Sequence, residues 1–126
     1  MIANNRCPCG SNLTLDECCN RYIVGMPALT AEQLMRSRYT AYVMKNEVYL
    51  LATWHESTRP LRLDIDDDAA HWLGLKVLNS LLQGENQASV EFVARYKIAG
   101  RAHRLHEVSQ FVLEHGRWFY LDGVLR

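Results

Sequence analysis

The fold is decided by residues 88–98, which read ASVEFVARYKI, because apolar and polar side chains alternate along them. One set of alternate positions holds only apolar residues: Ala88, Val90, Phe92, Ala94, Tyr96 and Ile98. The positions between them are mostly polar: Ser89, Glu91, Arg95 and Lys97. A period of two is typical of a β-strand that buries one face, so this stretch predicts a strand.

Three further strands are predicted on either side of this one. Residues 75–83 precede it, and alternation resumes at residues 105–113 and 118–121. Gly84, Gly100 and Gly116 mark the connections as turns. Connections this short join antiparallel neighbours, so the sequence predicts an antiparallel meander of at least four strands.

Helices are predicted upstream of the sheet. Thr30 and Gln33 form a capping box, and apolar residues then recur every three or four positions up to Val43. Asn46 indicates a second N-cap, ahead of a shorter, mostly buried helix over residues 48–54. Residues 58–72 are ambiguous, and their pattern is compatible with a short strand followed by a helical turn. Helices followed by a curved antiparallel sheet predict an α+β fold.

Length and composition fit one globular domain with a small appendage. The chain has 126 residues, of which 48% are hydrophobic and 22% charged, and this excludes a disordered or fibrous protein. The 14 basic and 14 acidic side chains cancel, so no overall field favours nucleic acid or anionic membranes. No apolar stretch approaches the roughly 20 residues of a membrane helix, and residues 1–10 lack the pattern of a secretory signal. We therefore expect a cytoplasmic protein whose thiols stay reduced.

Two charged stretches are interpreted as solvated surface. Residues 101–106 contain two Arg and two His without interleaved exposed aromatic residues, which gives no strong nucleic-acid signal. The acidic run at residues 64–68 fails the calcium-loop pattern, since Ala69 and Leu75 stand where Gly and Glu are needed. We interpret it as an acidic turn at a helix start.

The cysteines predict a metal site near the N-terminus. All four, Cys7, Cys9, Cys18 and Cys19, lie in the first sixth of the chain. Clustered thiols in a reducing compartment are typical of metal ligands, and Zn²⁺ prefers four such ligands in a tetrahedron. The block over residues 1–25 is too short to bury a core of its own, so a zinc cross-link would supply its stability.

Three alternatives to zinc remain open. Disulfides are disfavoured by the expected compartment and by the adjacency of Cys18 and Cys19. A thioredoxin-type redox centre requires Cys-x-x-Cys beside a βαβ unit, and neither is present. An iron–sulfur cluster also uses four thiolates, although its usual spacings differ from this one.

The cysteine block resembles the SEC-C zinc motif, which is best known from the C-terminal tail of the SecA translocation motor. The residues that carry the resemblance are Cys7-Pro8-Cys9-Gly10-Ser11 and Cys18-Cys19. Asn12 stands where the motif commonly has Gly, and Cys19 stands where His is common, which adds one negative charge to the site. The resemblance implies protein partners such as a chaperone or the ribosome.

Four further stretches of the sequence form a recognisable set: MRSRY at 35–39, WHESTRP at 54–60, EFVARY at 91–96 and WFYLDG at 118–123. Through these stretches the chain as a whole resembles the YchJ-like family. The resemblance implies a SEC-C motif over residues 1–25 and, over residues 26–126, a cone-shaped domain like nuclear transport factor 2. It carries no catalytic residues to transfer.

A cone of this kind often encloses a pocket, and Glu107 is the leading candidate to lie in it. Its position shares the face of Leu105, Ser109 and Phe111, where a carboxylate could act as a general base. The alternative is that Glu107 pairs with Arg95 across the strands or lies at an exposed rim. The other candidates for the pocket are Ser109, Tyr96, Tyr120, Asp122 and His55, of which His55 is equally typical of a capping or surface residue.

Two functions therefore stand as hypotheses. The first is a protein-interaction module built around the zinc knuckle. The second is a small-molecule binder or an isomerase- or hydrolase-type enzyme that uses the cone.

Overall fold

The computed structural model describes residues 5–65 and 69–126; the first four residues and residues 66–68 of the acidic run lie outside the described residues. Three helices precede a four-stranded sheet. The helices are α1 (Cys19–Ile23), α2 (Ala31–Val43) and α3 (Glu47–Ala52). The strands are β1 (His71–Leu82), β2 (Gln87–Ile98), β3 (Arg101–Glu114) and β4 (Arg117–Leu125).

The four strands form one antiparallel sheet in the order β1-β2-β3-β4. The β2–β3 and β3–β4 turns each place two residues at positive φ, as type I′ hairpins require: Ala99 (51°), Gly100 (79°), His115 (52°) and Gly116 (77°). Register shifts leave extra residues in β1 and, at Leu121, in β4, and irregularities of this kind bend a sheet. The expected α+β fold with a curved antiparallel meander is confirmed.

The helix caps form where the sequence predicts them. The Thr30 hydroxyl accepts the Gln33 N–H at 3.1 Å, and the Gln33 side chain accepts the Leu29 N–H at 2.9 Å. The Asn46 side chain accepts the Tyr49 N–H at 3.1 Å, so α3 begins at Glu47. These bonds satisfy amide groups that the first turn of a helix leaves without partners.

One core joins the cysteine block to the helices and the sheet. The apolar face of β2 (Ala88, Val90, Phe92 and Ala94) is buried together with Leu34, Met35 and Tyr39 of α2. The four cysteines belong to the same cluster of buried residues. The N-terminal segment therefore packs against the larger part of the chain.

The strands are longer than the alternation predicts. β1 begins at His71, within the stretch that the sequence left ambiguous, and β4 continues to Leu125. Main-chain hydrogen bonding extends past the apolar residues. A residue belongs to a strand when its main chain pairs with a neighbouring strand, whether or not its side chain is buried. No helix among the described residues is long and apolar enough to cross a membrane.

Candidate functional site

The four cysteine sulfurs form a compact cluster in the core. All four Sγ atoms lie within 4.8 Å of one another, and each cysteine is at most 7% exposed. The Sγ of Cys18 lies 3.7 Å from that of Cys9 and 3.9 Å from that of Cys19. Tetrahedral Zn–S bonds of about 2.3 Å place sulfurs about 3.8 Å apart, so this cluster fits a four-coordinate metal ion.

A tight loop positions the first two cysteines. The Cys7 N–H donates to the Leu13 carbonyl at 2.8 Å, and the Gly10 N–H donates to the Cys7 carbonyl at 3.2 Å. Gly10 has a φ of 85° and Asn12 a φ of 71°. Gly and Asn are the residues that adopt this left-handed conformation at least cost, which explains how the chain reverses within so few residues.

A capped turn positions the second pair of cysteines, Cys18 and Cys19. The Thr14 hydroxyl accepts the Glu17 N–H at 3.3 Å and donates to the Glu17 carboxylate at 2.8 Å. The turn leads into α1, which begins at Cys19. Thr14 therefore caps the turn that presents Cys18 and Cys19 together, as the sequence predicts.

The thiols influence one another strongly. A hydrogen bond from the Cys19 side chain and one from Cys9 lower the pKa of Cys7, whereas the bond to Cys7 raises the pKa of Cys19. Desolvation raises the pKa of Cys18. Thiols this close together compete to hold a negative charge, and a divalent cation at their centre would relieve this competition by stabilising every thiolate.

Polar residues outside the motif surround the cluster, and sequence reasoning missed two of them. Arg36 of α2 donates to the Cys9 carbonyl at 2.9 Å, and the Thr40 hydroxyl lies 3.6 Å from the Cys7 sulfur. Within the motif, the Ser11 hydroxyl donates to the Cys18 sulfur at 3.2 Å. Arg36 and Thr40 lie four residues apart in α2, so they share one face of the helix, and this shared face is the signal in the sequence that points to them together.

Arg36 places a positive charge beside the thiolates. Burial opposes its charge, but hydrogen bonds to Glu32 and Cys9 outweigh burial and raise the pKa of Arg36. Its Nε lies 3.0 Å from the Glu32 carboxylate. Since four thiolates around a divalent ion leave a net negative charge, a guanidinium at this position stabilises the loaded site.

Replacing Arg36 is expected to weaken metal retention. The substitution Arg36→Ala removes the bond to Cys9 and the compensating charge, so zinc affinity should fall by about tenfold or more. Competition with a chromophoric chelator measures this affinity. Glu32→Ala is the matched control, because it removes the ion pair and leaves the Arg36–Cys9 bond; an equal loss in both variants would contradict the assigned role.

A cavity lies between α2 and the inner face of the sheet. Its volume is about 260 Å³, slightly below the range of about 300–1,000 Å³ that is typical of ligand sites. Six aromatic residues line it: Tyr39, Tyr42, Trp72, Phe92, Phe111 and Tyr120. Its polar side chains include Arg38, Glu107 and Ser109.

Glu107 lies in this cavity beside Ser109. The Ser109 hydroxyl donates to Oε2 of Glu107 at 2.6 Å. Glu107 stands opposite Phe92 in β2, whereas Arg95 stands opposite Arg104, at a position of the other parity. The expected alternative of a Glu107–Arg95 pair is therefore not formed, because alternate residues of a strand point to opposite faces. Burial, followed by the Glu107 charge, raises the pKa of the nearby Tyr120 hydroxyl.

The remaining pocket candidates lie outside the set of cavity-lining residues. The Tyr96 ring stacks on His103 at 5.2 Å between centroids. Asp122 is opposite Gln110 in the β3–β4 pair. His55 lies near the surface, where its Nε2 is 2.8 Å from the Glu114 carboxylate and its Nδ1 is 2.7 Å from the Ser57 hydroxyl.

Sequence comparisons find the same architecture elsewhere. The family model described as "YchJ, middle NTF2-like domain" matches residues 30–123. A UPF0225 protein of Methylibium petroleiphilum is 55% identical over 93% of this chain and 86% of its own length. A UPF0225 protein of Chromobacterium violaceum is 50% identical over 98% of this chain and 95% of its own.

Two solved structures share the fold. A SEC-C motif containing protein from Rhodopseudomonas palustris has a TM-score of 0.85 at 36% identity and covers 94% of this chain and 97% of its own. A SEC-C motif containing protein from Psychrobacter arcticus has a TM-score of 0.80 at 29% identity and covers 96% of this chain and 82% of its own. Both alignments extend beyond the residues that the family model matches.

Proposed function

The chain belongs to the YchJ-like UPF0225 family of SEC-C motif proteins, and from this premise we propose that it is a zinc-stabilised protein-interaction module. The observation that carries the proposal is the buried cluster of four cysteine sulfurs within 4.8 Å of one another. Cys7, Cys9, Cys18 and Cys19 hold the zinc ion, which fixes the N-terminal segment against the core and makes its outer surface rigid.

The segment that leaves the cluster exposes apolar side chains. Val24, Met26 and Leu29 follow α1 and are between 50% and 80% exposed. Leu29 lines a groove of about 520 Å³, together with Leu82 of β1 and the nearly buried Trp118 of β4. Leu29 and Leu82 are exposed apolar side chains beside this groove, and such side chains are typical of a protein-binding surface, which supports an interaction role.

The proposal includes partners, compartment and domain division. The SEC-C resemblance points to a chaperone or the ribosome as the protein partner. A reducing cytoplasm keeps four thiols available for zinc. Residues 1–25 form the zinc motif and residues 26–126 the domain like nuclear transport factor 2 in this proposal.

Partner capture tests the interaction role. A tagged full chain loaded with zinc is expected to retain a protein partner that is identified by mass spectrometry. Cys7→Ser should lose this partner because the segment loses its shape, and Leu29→Asp should lose it while keeping zinc. Leu61→Asp, at a side chain that is fully exposed outside the groove, is the control. A partner list unchanged by Cys7→Ser would count against the proposal.

A second candidate function is small-molecule binding, including an isomerase- or hydrolase-type activity, in the cavity between α2 and the sheet. The observation that favours it is a cavity of about 260 Å³ with the Glu107 carboxylate on its wall. A carboxylate among aromatic side chains is the kind of group that orients a ligand or accepts a proton. This role is compatible with the zinc site, because the two sites use different residues.

A further inference from the structure

We propose that the cavity binds a small aromatic heterocycle of one or two rings, which donates an N–H hydrogen bond to the carboxylate of Glu107. The inference rests on the second candidate function, since it names the class of ligand that the cavity takes. Four features of the cavity support it: its aromatic walls, its size, the Oε1 atom of Glu107 as a hydrogen-bond acceptor, and Gly123, whose lack of a side chain leaves room for that carboxylate.

The walls favour an aromatic ligand. Trp72 contacts the Tyr39 ring at 5.8 Å and the Tyr42 ring at 6.1 Å between centroids, and Phe111 contacts Tyr120 at 5.8 Å. Rings that pack against one another at these distances hold their orientation and offer faces and edges to a further ring. The volume of about 260 Å³ accommodates one or two rings.

The Glu107 carboxylate determines which polar group the ligand must carry. Oε2 of Glu107 accepts the Ser109 hydroxyl, whereas no bond to Oε1 is found among residues 5–65 and 69–126. A ligand that displaces water from Glu107 must replace the lost hydrogen bond, because an unpaired carboxylate in an apolar site is costly. A donor N–H meets this requirement, whereas a carboxylate ligand brings no donor to Glu107.

Arg38 does not supply the hydrogen bond to Glu107 that the ligand is proposed to make. Its NH1 donates to the Leu50 carbonyl at 2.8 Å and to the Thr53 hydroxyl at 2.7 Å. Its guanidinium carbon lies 4.6 Å from the centroid of the Tyr120 ring. No ion pair joins Arg38 to Glu107 in the described part of the chain, so the carboxylate remains available to a ligand.

Gly123 provides the space in which the carboxylate lies. It stands opposite Ser109 in β4, and a Cβ built on it would be 2.1 Å from Oε2 of Glu107 and 2.6 Å from its Cδ. Any side chain at this position must displace the carboxylate. Gly123 is therefore a positioning residue, and Gly123→Ala moves the acceptor without removing its charge.

Titrations of the zinc-loaded full chain with three probes test the inference. Binding is monitored through the amide chemical shifts in NMR spectra. The probes, used in buffer alkaline enough to keep 2-aminobenzimidazole uncharged, are 2-aminobenzimidazole, which donates N–H bonds, naphthalene, which has no donor, and 2-naphthoate, which is an anion. We expect 2-aminobenzimidazole to shift signals of β2 and β3, and to bind at least about tenfold more tightly than the other two.

Variants then locate the donor contact. Glu107→Gln and Gly123→Ala should each weaken 2-aminobenzimidazole by about tenfold or more, with the rest of the spectrum unchanged. Glu91→Gln is the matched control, because Glu91 pairs with His106 through a bond of 2.7 Å and does not line the cavity. Ser109→Ala, which removes one bond to the carboxylate, should have a smaller effect.

The outcomes separate this inference from the function on which it rests. If all three probes bind equally and Glu107→Gln has no effect, the cavity binds small molecules but the donor requirement is wrong. Tighter binding of 2-naphthoate would overturn the inference in the same way. If no probe shifts any signal of β2 or β3, both the inference and small-molecule binding fail.

Discussion

Loss of the metal ion is expected to unfold the N-terminal segment and to destabilise the whole chain. The cysteine block has few large apolar side chains of its own, and apparent zinc-binding energies in small modules are about 10–16 kcal/mol. Because the four cysteines are part of the common core, their release also exposes residues of α2 and β2. We expect one zinc ion per chain and a fall in Tm on the order of 10 °C after chelation.

The substitution Cys9→Ser tests the same expectation without a chelator. Cys9 is fully buried, and a serine hydroxyl is a poor zinc ligand, so the variant should lose zinc and the dispersed NMR signals of residues 5–25. Asp16→Ser is the control, since this exposed carboxylate in the same segment contacts the Asn20 amide and no cysteine.

Elemental analysis of freshly purified protein decides the identity of the metal. Zinc at one equivalent supports the proposal, whereas iron with visible absorption would indicate an iron–sulfur cluster. Less than stoichiometric zinc, or N-terminal signals that do not move on chelation, would contradict the proposed role of the site.

Replacing Arg38, which links α2 to α3 and to β4, is expected to cause a large loss in the free energy of unfolding. Its side chain is 5% exposed, bonds to Leu50 and Thr53, and lies over the rings of Trp54 and Tyr120. Desolvation lowers the pKa of Arg38, and electrostatic interactions with Tyr42, Tyr120, Tyr49 and Glu107 partly oppose this shift. Arg38→Ala leaves a void and removes a buried hydrogen-bonding group, so the free energy of unfolding should fall by about 3–5 kcal/mol.

Chemical denaturation measures this change. Arg62→Ala is the matched control, because Arg62 is exposed and makes one ion pair with Asp64 at 3.4 Å; its effect should stay within about 0.5 kcal/mol. A loss of less than about 1 kcal/mol in Arg38→Ala would show that the contacts of this side chain contribute little to stability.

Local patterns predicted most of the architecture because each depends on residues close together in sequence. The alternation in residues 88–98 matches β2 over Gln87–Ile98, and the Thr30 cap marks the start of α2. Residues 58–72 are ambiguous because they show neither the two-residue period of a strand nor the 3.6-residue period of a helix. β1 begins within this stretch because β2 is available to pair with it. Strand ends are set by partners, which a local pattern does not contain.

The sequence by itself determined the four clustered cysteines as candidate metal ligands, the helix starts and the meander, because spacing, caps and alternation are local properties of a chain. Only the tertiary structure decided that Arg36 and Thr40 border the sulfur cluster, that Arg38 bridges the two helices and the sheet, and that Gly123 makes room for Glu107. These relationships join residues that lie far apart along the chain. Their contacts exist only after α2 packs on the sheet, and no short-range pattern encodes that packing.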